Sequence, residues 1–318
     1  MKTNAKIWLG AAAAAVLPVI LNRCIVDQVE RSAVKRPGDQ YYKWRHGNIR
    51  YTCRGAGEPL LLVHNAVFGG GMHEWSENIS ALSRRFKVYT LDLLGFGRSD
   101  KPAISYSSYL FTSLLNDFVR NVITVPTHVI ASGHGANYAV MAQFFRPDLY
   151  KSMILVSPAG LGTHRAVTND SQFICQLMES PWLGTTAYNV ITSKLYFRWY
   201  LKNFIYGDPD AVTEKIVNRY YFSAHYGGEN AKYMAGALIA GYLNVNIEHK
   251  LKALTLPVHV VWGEDNVLDS ISNFHTISNQ NPNIGLTVFE GAKCLPHAEQ
   301  PANFGKVCRR FYDTLPRN

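Results

Sequence analysis

Short apolar runs of strand length alternate with longer stretches of helical spacing along most of the chain. The runs are residues 60–63, 88–91, 128–131, 153–156, 258–262 and 286–289. Near-continuous apolar strands separated by helices are typical of a mostly parallel sheet that helices cover on both faces. The pattern therefore predicts an α/β fold with a doubly wound, mostly parallel sheet. Residues 41–54, centred on Gly47 and Asn48, predict an antiparallel hairpin in front of that sheet.

The strand rhythm stops after Gly160 and resumes near Lys250. The intervening residues show helical spacing and predict a helical cap, at about 160–250, inserted into the sheet. This segment is rich in aromatic residues, among them Phe197 and Tyr220. Those rings form either the cap's own core and its seat on the sheet, or the wall of a pocket for an apolar ligand.

An uninterrupted apolar run of fifteen residues, 7–21, lies near the amino end. Its length falls between that of a signal-peptide core and the about 20 residues that cross a bilayer. The residues that follow, L-N-R-C, are not the small residues of a cleavage site, which favours an uncleaved membrane anchor, a hydrophobic helix within residues 1–24. A cleaved signal and a helix buried in the core stay open. Lys and Arg are denser after the run than before it, so we expect a cytoplasmic body, with a secreted or exported form as the alternative.

Composition and charge narrow the function classes. With 47% apolar and 17% charged residues among 318, the chain has the composition of a folded globular protein. The formal net charge is +9, of which residues 1–50 contribute +6, from nine Lys and Arg against three Asp and Glu. The rest is nearly balanced, which argues against nucleic-acid binding. Residues 25–40 form a basic linker that suits a membrane-proximal position, and the folded body spans residues 41–318.

Signals for a cofactor or a metal are missing from the sequence. The five cysteines are widely spaced without a C-x-x-C, and the eleven histidines show no H-x-x-x-H spacing, so neither a disulfide framework nor a metal site is predicted. The glycines at 69–71 follow a strand but lack the G-x-G-x-x-G or G-K-S/T context of a nucleotide site. We therefore expect no cofactor and no metal.

Two segments carry a resemblance to a known family. Residues 60–75, LLLVHNAVFGGGMHEW, resemble the strand and loop of α/β-hydrolases that begin with a His-Gly pair and end in Trp. Residues 91–102, LDLLGFGRSDKP, resemble the family's D-x-x-G-x-G-x-S-x-x-P loop. With the order of strands and helices, the resemblance covers about residues 41–315. It implies a capped α/β-hydrolase fold and chemistry by a nucleophile on a sharp strand-to-helix turn, then an acid, then a histidine.

The sequence departs from that pattern at each catalytic position that the resemblance implies. The segment after the run 128–131 reads S-G-H-G-A-N, which leaves Gly133 or Gly135 where the nucleophile should stand. Asn266 takes the place of the acid, in V-V-W-G-E-D-N, and Cys294 takes the place of the histidine, in G-A-K-C-L-P-H. A glycine offers no attacking atom, and an asparagine cannot stabilise an imidazolium as a carboxylate does.

The loop that helps to build the family's oxyanion hole is altered as well, because the His-Gly pair reads His64-Asn65. The resemblance implies that the old pocket and its oxyanion hole would be lined by His64, Asn65, Ala66, His134 and Ala136.

A displaced set of catalytic residues can still be written down. Ser132, Asp265 and His297 each lie within a few residues of a family position. Against this set, neighbouring strand residues point to opposite faces of a sheet, so a displacement by one residue turns a side chain away unless the backbone bulges. A Cys294 nucleophile beside His64 or His134 is a further alternative, although no nearby group is expected to favour its thiolate.

Three functions follow from these features. The first is a membrane-anchored protein with the α/β-hydrolase fold that no longer hydrolyses through the usual triad and binds a small apolar ligand or a protein partner. The second is an enzyme, a hydrolase of ester or related acyl bonds that uses Ser132, Asp265 and His297. The third is an interaction module that works through the surface of its cap. Function depends on the site more than on the fold, and the altered site favours the first.

Overall fold

The computed structural model of the chain describes residues 20, 22–31, 38–161, 167–268, 270–272, 274, 281 and 284–316. The predicted hydrophobic helix at 7–21 lies outside the described residues except for Ile20. Within the described ranges, no helix is both long enough and apolar enough to cross a membrane.

The prediction of a mostly parallel sheet is confirmed. Its eight strands follow the order β1-β2-β4-β3-β5-β6-β7-β8, in which only β1 with β2 and β2 with β4 pair antiparallel. The strands are β1 (Gln40–Trp44), β2 (Gly47–Arg54), β3 (Pro59–Val63), β4 (Lys87–Leu91), β5 (Thr127–Ser132), β6 (Tyr150–Val156), β7 (Val258–Gly263) and β8 (Ile284–Phe289). The turn of the first hairpin is Arg45–His46 and not Gly47-Asn48, because Trp44 already pairs with Gly47.

Helices cover both faces of the sheet, and each face has its own apolar core. Outside the segment between β6 and β7, the helices are 22–31, Ile79–Leu82, Ser108–Phe118, Gly133–Phe145, Pro296–Glu299 and Pro301–Asp313, with a short 3₁₀ turn at Met72–Trp75 and a π turn at Val119–Ile123. Side chains from β3 and β5 enter both cores, since their residues alternate between the two faces.

The segment between β6 and β7 is helical and is called the cap below. Its helices are Asn169–Glu179, Leu183–Ile191, Lys194–Tyr200, Glu214–His225, Ala231–Ile239 and Glu248–Lys252, and a π turn spans Leu201–Ile205. The cap has a core of its own, in which Phe197 and Tyr220 are fully or almost fully buried. Phe197 and Tyr220 therefore belong to the core that stabilises the cap.

The helix at 22–31 packs against the cap. The Asn189 side-chain amide donates a hydrogen bond of 3.1 Å to Asn22 Oδ1, and the Asn22 amide approaches Glu229 Oε2 at 3.5 Å. Asn22 and Val29 are buried, whereas Cys24 between them is exposed. The chain therefore reaches the folded body on the side of the cap.

Candidate functional site

The sharp turn between strand and helix falls on Gly133. Strand β5 ends at Ser132, and the next helix begins at Gly133 with φ +50°, a left-handed conformation that glycine adopts without strain. Gly135 lies inside the helix, where a Cβ atom would overlap the His64 carbonyl oxygen. Of the two possible positions, only Gly133 has the backbone geometry of the turn on which the family carries its nucleophile.

The side chain of Asn65 occupies the space in front of that turn. A Cβ atom built on Gly133 would overlap Asn65 Cγ, Oδ1 and Nδ2. The backbone N–H of His134, at the start of the helix, donates a hydrogen bond of 3.0 Å to Asn65 Oδ1. The Asn65 carboxamide therefore fills the volume that any side chain at 133 would need, and it also uses the N–H that follows the turn.

Asn266 and Cys294 meet beside this turn. Asn266 follows β7, and its Oδ1 accepts hydrogen bonds from Cys294 Sγ at 3.1 Å and from the backbone N–H of Leu268 at 3.1 Å. Cys294 Sγ also lies 3.2 Å from the Phe204 carbonyl oxygen. The two residues that the resemblance places at the acid and histidine positions, Asn266 and Cys294, thus contact each other through an amide and a thiol.

A cavity of about 350 Å³, called the site cavity below, opens between these residues and the cap. Its lining consists of Asn65, Val67, Phe68, Gly133, His134, Ser157, Ala159, Tyr200, Leu238, Ile239, Asn244, Asn266, Leu268 and Cys294. None of these described lining residues is an Asp, Glu, Lys or Arg. The site cavity is therefore apolar with several uncharged polar groups, which is the usual character of a small-molecule site.

The sequence did not indicate two polar side chains of this lining, Ser157 and Asn244, whereas Tyr200 belongs to the aromatic residues of the cap that were expected to form either its core or a pocket wall. Ser157 stands at the end of β6 with φ +41°, and its buried hydroxyl has no hydrogen-bond partner among the described residues. Asn244 Oδ1 lies 3.1 Å from His134 Nε2. Burial raises the pKa of Tyr200 well above its usual value, so its hydroxyl keeps its proton.

Three further residues that were expected at the pocket, His64, Ala66 and Ala136, are fully buried outside the cavity lining. The backbone N–H of Leu93 donates to His64 Nε2 at 3.0 Å, so the ring proton sits on Nδ1, which donates to the Asn65 carbonyl oxygen at 2.8 Å. Both ring nitrogens of His64 are therefore occupied by hydrogen bonds to the backbone, and these bonds stabilise the loop that carries Asn65.

The structure brings two residues of the displaced catalytic set, Ser132 and His297, close together, but not the third, Asp265. The Ser132 hydroxyl donates to Glu74 Oε1, and His297 Nε2 lies 3.2 Å from the same oxygen. Glu74 Oε2 accepts the backbone N–H of Asn65 at 3.0 Å. Asp265 is exposed, and its backbone N–H donates to the Ala292 carbonyl oxygen. Glu74 was not predicted from the sequence. Its carboxylate lies between Ser132 and His297, whereas in a catalytic triad the histidine occupies the middle position.

The Ser132–Glu74–His297 cluster is closed to solvent, and its residues follow a different order from those of a catalytic triad. Ser132 and His297 expose no surface, and a catalytic histidine would have to lie between the hydroxyl and the acid. Burial alone would raise the pKa of Glu74, but its contacts with His297 and Ser132 outweigh burial and hold that pKa below its usual value. Glu74 is therefore an ionised buried carboxylate that ties three segments of the chain together.

Comparison with known proteins agrees with this architecture. A profile of the alpha/beta hydrolase family matches residues 60–306, which is most of the sheet together with the whole cap. The chain belongs to this family.

Proteins similar to this chain include an uncharacterized protein, a lipase and a serine hydrolase. An uncharacterized protein of Mycobacterium tuberculosis is 23% identical over 299 residues, which cover 87% of this chain and 82% of the relative. A human (lyso)-N-acylphosphatidylethanolamine lipase is 36% identical over 110 residues, which cover 32% of this chain and 30% of the lipase. Among solved structures, a serine hydrolase involved in carbazole degradation superposes with a TM-score of 0.71 at 17% identity, covering 87% of this chain and 99% of that one. The last comparison bears on the fold alone.

Proposed function

We propose that this member of the alpha/beta hydrolase family binds a small, uncharged, largely apolar molecule in the site cavity and does not hydrolyse it through a serine, an acid and a histidine. The observation that carries the proposal is the Asn65 carboxamide, which fills the volume in front of Gly133 and accepts the N–H of His134. A residue that attacks a carbonyl needs that volume, and a developing oxyanion needs free donors.

The neighbouring positions support the same proposal. Asn266 supplies an uncharged oxygen where a carboxylate would be required to stabilise a charged histidine. Cys294 is its partner there, and a thiol cannot take over the role of an imidazole that passes a proton in both directions. The alternative, an ester or acyl hydrolase that uses Ser132, Asp265 and His297, is opposed by the complete burial of Ser132 and His297 and by the exposed position of Asp265.

The uncharged lining argues for the class of ligand. An ionised ligand in a cavity without a complementary charge would lose its hydration without compensation. Apolar surface from Val67, Phe68 and Leu238 would cover the body of the ligand, while the free Ser157 hydroxyl and the Asn244 amide would bind one or two of its polar atoms.

The catalytic half of the proposal is tested by hydrolysis of p-nitrophenyl butyrate. The full chain in dodecyl maltoside is compared with Ser132→Ala and His297→Ala, each checked for folding by circular dichroism. We expect the uncatalysed rate in all three, and no covalent labelling by a fluorophosphonate. Turnover by the wild type that falls in either variant would overturn this half of the proposal in favour of the displaced residues.

The binding half is tested with N-phenyl-1-naphthylamine, an uncharged apolar probe that fluoresces in apolar cavities. Ala159→Trp places a large side chain in the site cavity, and Ala302→Trp adds the same side chain at an exposed position of the last helix. We expect binding that exceeds the detergent background in the wild type and in Ala302→Trp and is lost in Ala159→Trp. Equal binding by all three proteins would contradict the assignment of the site.

The proposal includes a membrane anchor formed by residues 7–21, with the body on the cytoplasmic side. The apolar run and the Lys and Arg after it support this part, and the contact of Asn22 with the cap is compatible with a helix that continues into the folded body. Alkaline carbonate extraction of membranes tests it. The wild type and the exposed control Gln28→Asp should stay in the pellet, and Leu17→Asp should be released. Release of the wild type would contradict the anchor.

A further inference from the structure

A second cavity, of about 740 Å³, shares no lining residue with the site cavity. It is enclosed by strand β2, the turn after β3, the loop after β4 and the cap helix Glu214–His225. The name basic cleft is used for it below, because five of its lining residues are basic: Arg50, Arg54, Arg98, Lys215 and Arg219.

Two of these arginines are already neutralised by carboxylates. Arg50 donates to Asp92 Oδ2 at 2.9 Å and to Asp39 Oδ1 at 2.6 Å, and Arg98 Nη1 lies 3.5 Å from Asp39 Oδ2. Burial alone would raise the pKa of Asp92, but Arg50 and two backbone N–H donors, of Arg98 and Met72, hold it below its usual value. Asp92 is therefore ionised, and both carboxylates of the cleft pair with its arginines.

The other three cations have no carboxylate partner within the part of the chain that the structure describes. Arg54 and Lys215 are exposed at the rim, and Arg219 donates only to the Ser76 hydroxyl, at 2.9 Å. The basic cleft thus carries three positive charges that form no salt bridge within the described residues.

These charges stand on two surfaces that face each other. Arg50 and Arg54 lie on the same face of β2, because side chains alternate along a strand. Lys215, Arg219 and Phe222 are three or four residues apart and share one face of the cap helix. The positive charges on the two sides of the cleft repel each other. An anion bound between them would attract the positive charges on both sides.

We propose that the basic cleft binds a phosphoryl group that carries an apolar body. Arg54, Lys215 and Arg219 would hold the phosphoryl oxygens, since guanidinium groups bind such oxygens in pairs. Phe222 and Ile79 supply apolar lining for the rest of the ligand.

One histidine in the lining of the cleft has an unsatisfied ring nitrogen. His73 lines the cleft, and its buried Nε2 has no hydrogen-bond partner among the described residues. Burial lowers the pKa of His73 to about 4, so the ring is uncharged near neutral pH and can donate one N–H to an oxygen. A buried ring nitrogen without a partner costs free energy unless a bound group satisfies it.

Isothermal titration of the full chain in dodecyl maltoside tests this proposal. The probes are inorganic phosphate and dihexanoyl phosphatidic acid below its critical micelle concentration. We expect the wild type to bind at least one probe, with an affinity that weakens as salt is raised. The double variant Arg54→Gln/Arg219→Gln should bind at least tenfold more weakly. The control Arg309→Gln, which removes an exposed charge from the last helix, should bind as the wild type does.

The two probes separate the sources of the phosphoryl group. Equal binding of both would identify free phosphate as sufficient, and binding of the phosphatidic acid alone would identify a lipid headgroup. The proposal is overturned if the wild type binds neither probe, or if Arg309→Gln loses as much affinity as the double variant. Should the double variant fail to fold, the exposed Lys215→Gln takes its place, with a weaker affinity expected and an unchanged one refuting the proposal.

Discussion

The contact between Gly133 and Asn65 predicts a measurable coupling between the two positions. Gly133→Ala places a Cβ atom on a left-handed residue, which costs about 1–2 kcal/mol, and forces that atom into the Asn65 carboxamide, an overpacking of about 1–3 kcal/mol. Asn65→Ala removes the hydrogen bond to the His134 N–H, at a cost of about 1 kcal/mol. The double variant keeps the backbone strain and the lost hydrogen bond but no longer has the overlap. Its free energy of unfolding should therefore exceed the additive value by about 1–3 kcal/mol.

Urea unfolding of the full chain in dodecyl maltoside, followed by tryptophan fluorescence, measures the four free energies of this cycle. Gly135→Ala is the matched control, because its Cβ atom meets the backbone oxygen of His64 and not a side chain. Substitution of Asn65 cannot relieve that overlap, so the cycle of Gly135→Ala with Asn65→Ala should be additive within about 0.5 kcal/mol. Additivity in both cycles would refute the conclusion that Asn65 fills the space in front of the turn.

Three further predictions concern buried groups. Glu74→Gln should lower the free energy of unfolding by about 2 kcal/mol at pH 7. The pKa of Glu74 is lowered in the folded protein. The difference in stability from the wild type should therefore persist above the usual glutamate pKa of about 4.3 and shrink as the pH falls below it. Asp92→Asn should cost about 3–5 kcal/mol by urea unfolding, because it breaks the buried pair with Arg50. In the folded protein, maleimide should modify exposed Cys24 quickly and Cys308 only after unfolding, as read by mass spectrometry, since burial raises the pKa of the Cys308 thiol.

Each of these predictions has a contradicting result. A difference for Glu74→Gln that grows towards low pH would mean that its folded pKa is raised and not lowered. A cost for Asp92→Asn as small as that of a surface substitution, within about 0.5 kcal/mol, would mean that Arg50 finds compensation elsewhere. Equal labelling rates for Cys24 and Cys308 in folded protein would contradict the buried position of the last helix's inner face.

The sheet could be predicted because its signal is local. The apolar run 128–131 corresponds to β5, Thr127–Ser132, with one residue added at each end. Strands of a sheet covered on both faces are apolar at every position, so their runs stand out against the polar connections. Strand β8 begins two residues before its run, at Ile284, because Gly285 interrupts the apolar pattern without interrupting the ladder.

The site could be predicted only in part, because its contacts join distant segments. The sequence left Gly133 and Gly135 equivalent, and only the backbone conformation distinguishes them. It placed Ser132 and His297 in one set but could not reveal Glu74 between them, since the three residues come from a strand, a helix and a 3₁₀ turn that are far apart in the sequence. The same limit explains why Asp265 was included: one residue of displacement along a loop is enough to turn a carboxylate to solvent.

The overlap of Asn65 with position 133 also restricts the mutational routes open to this chain. A change of Gly133 to serine on its own meets the Asn65 carboxamide and is disfavoured before any catalytic benefit exists. A change of Asn65 on its own leaves the His134 N–H without its acceptor. We therefore expect a serine at position 133 to call for two substitutions, with each single variant less stable than the present protein. Under the proposed function, sign epistasis of this kind would disfavour the stepwise appearance of a serine nucleophile at position 133.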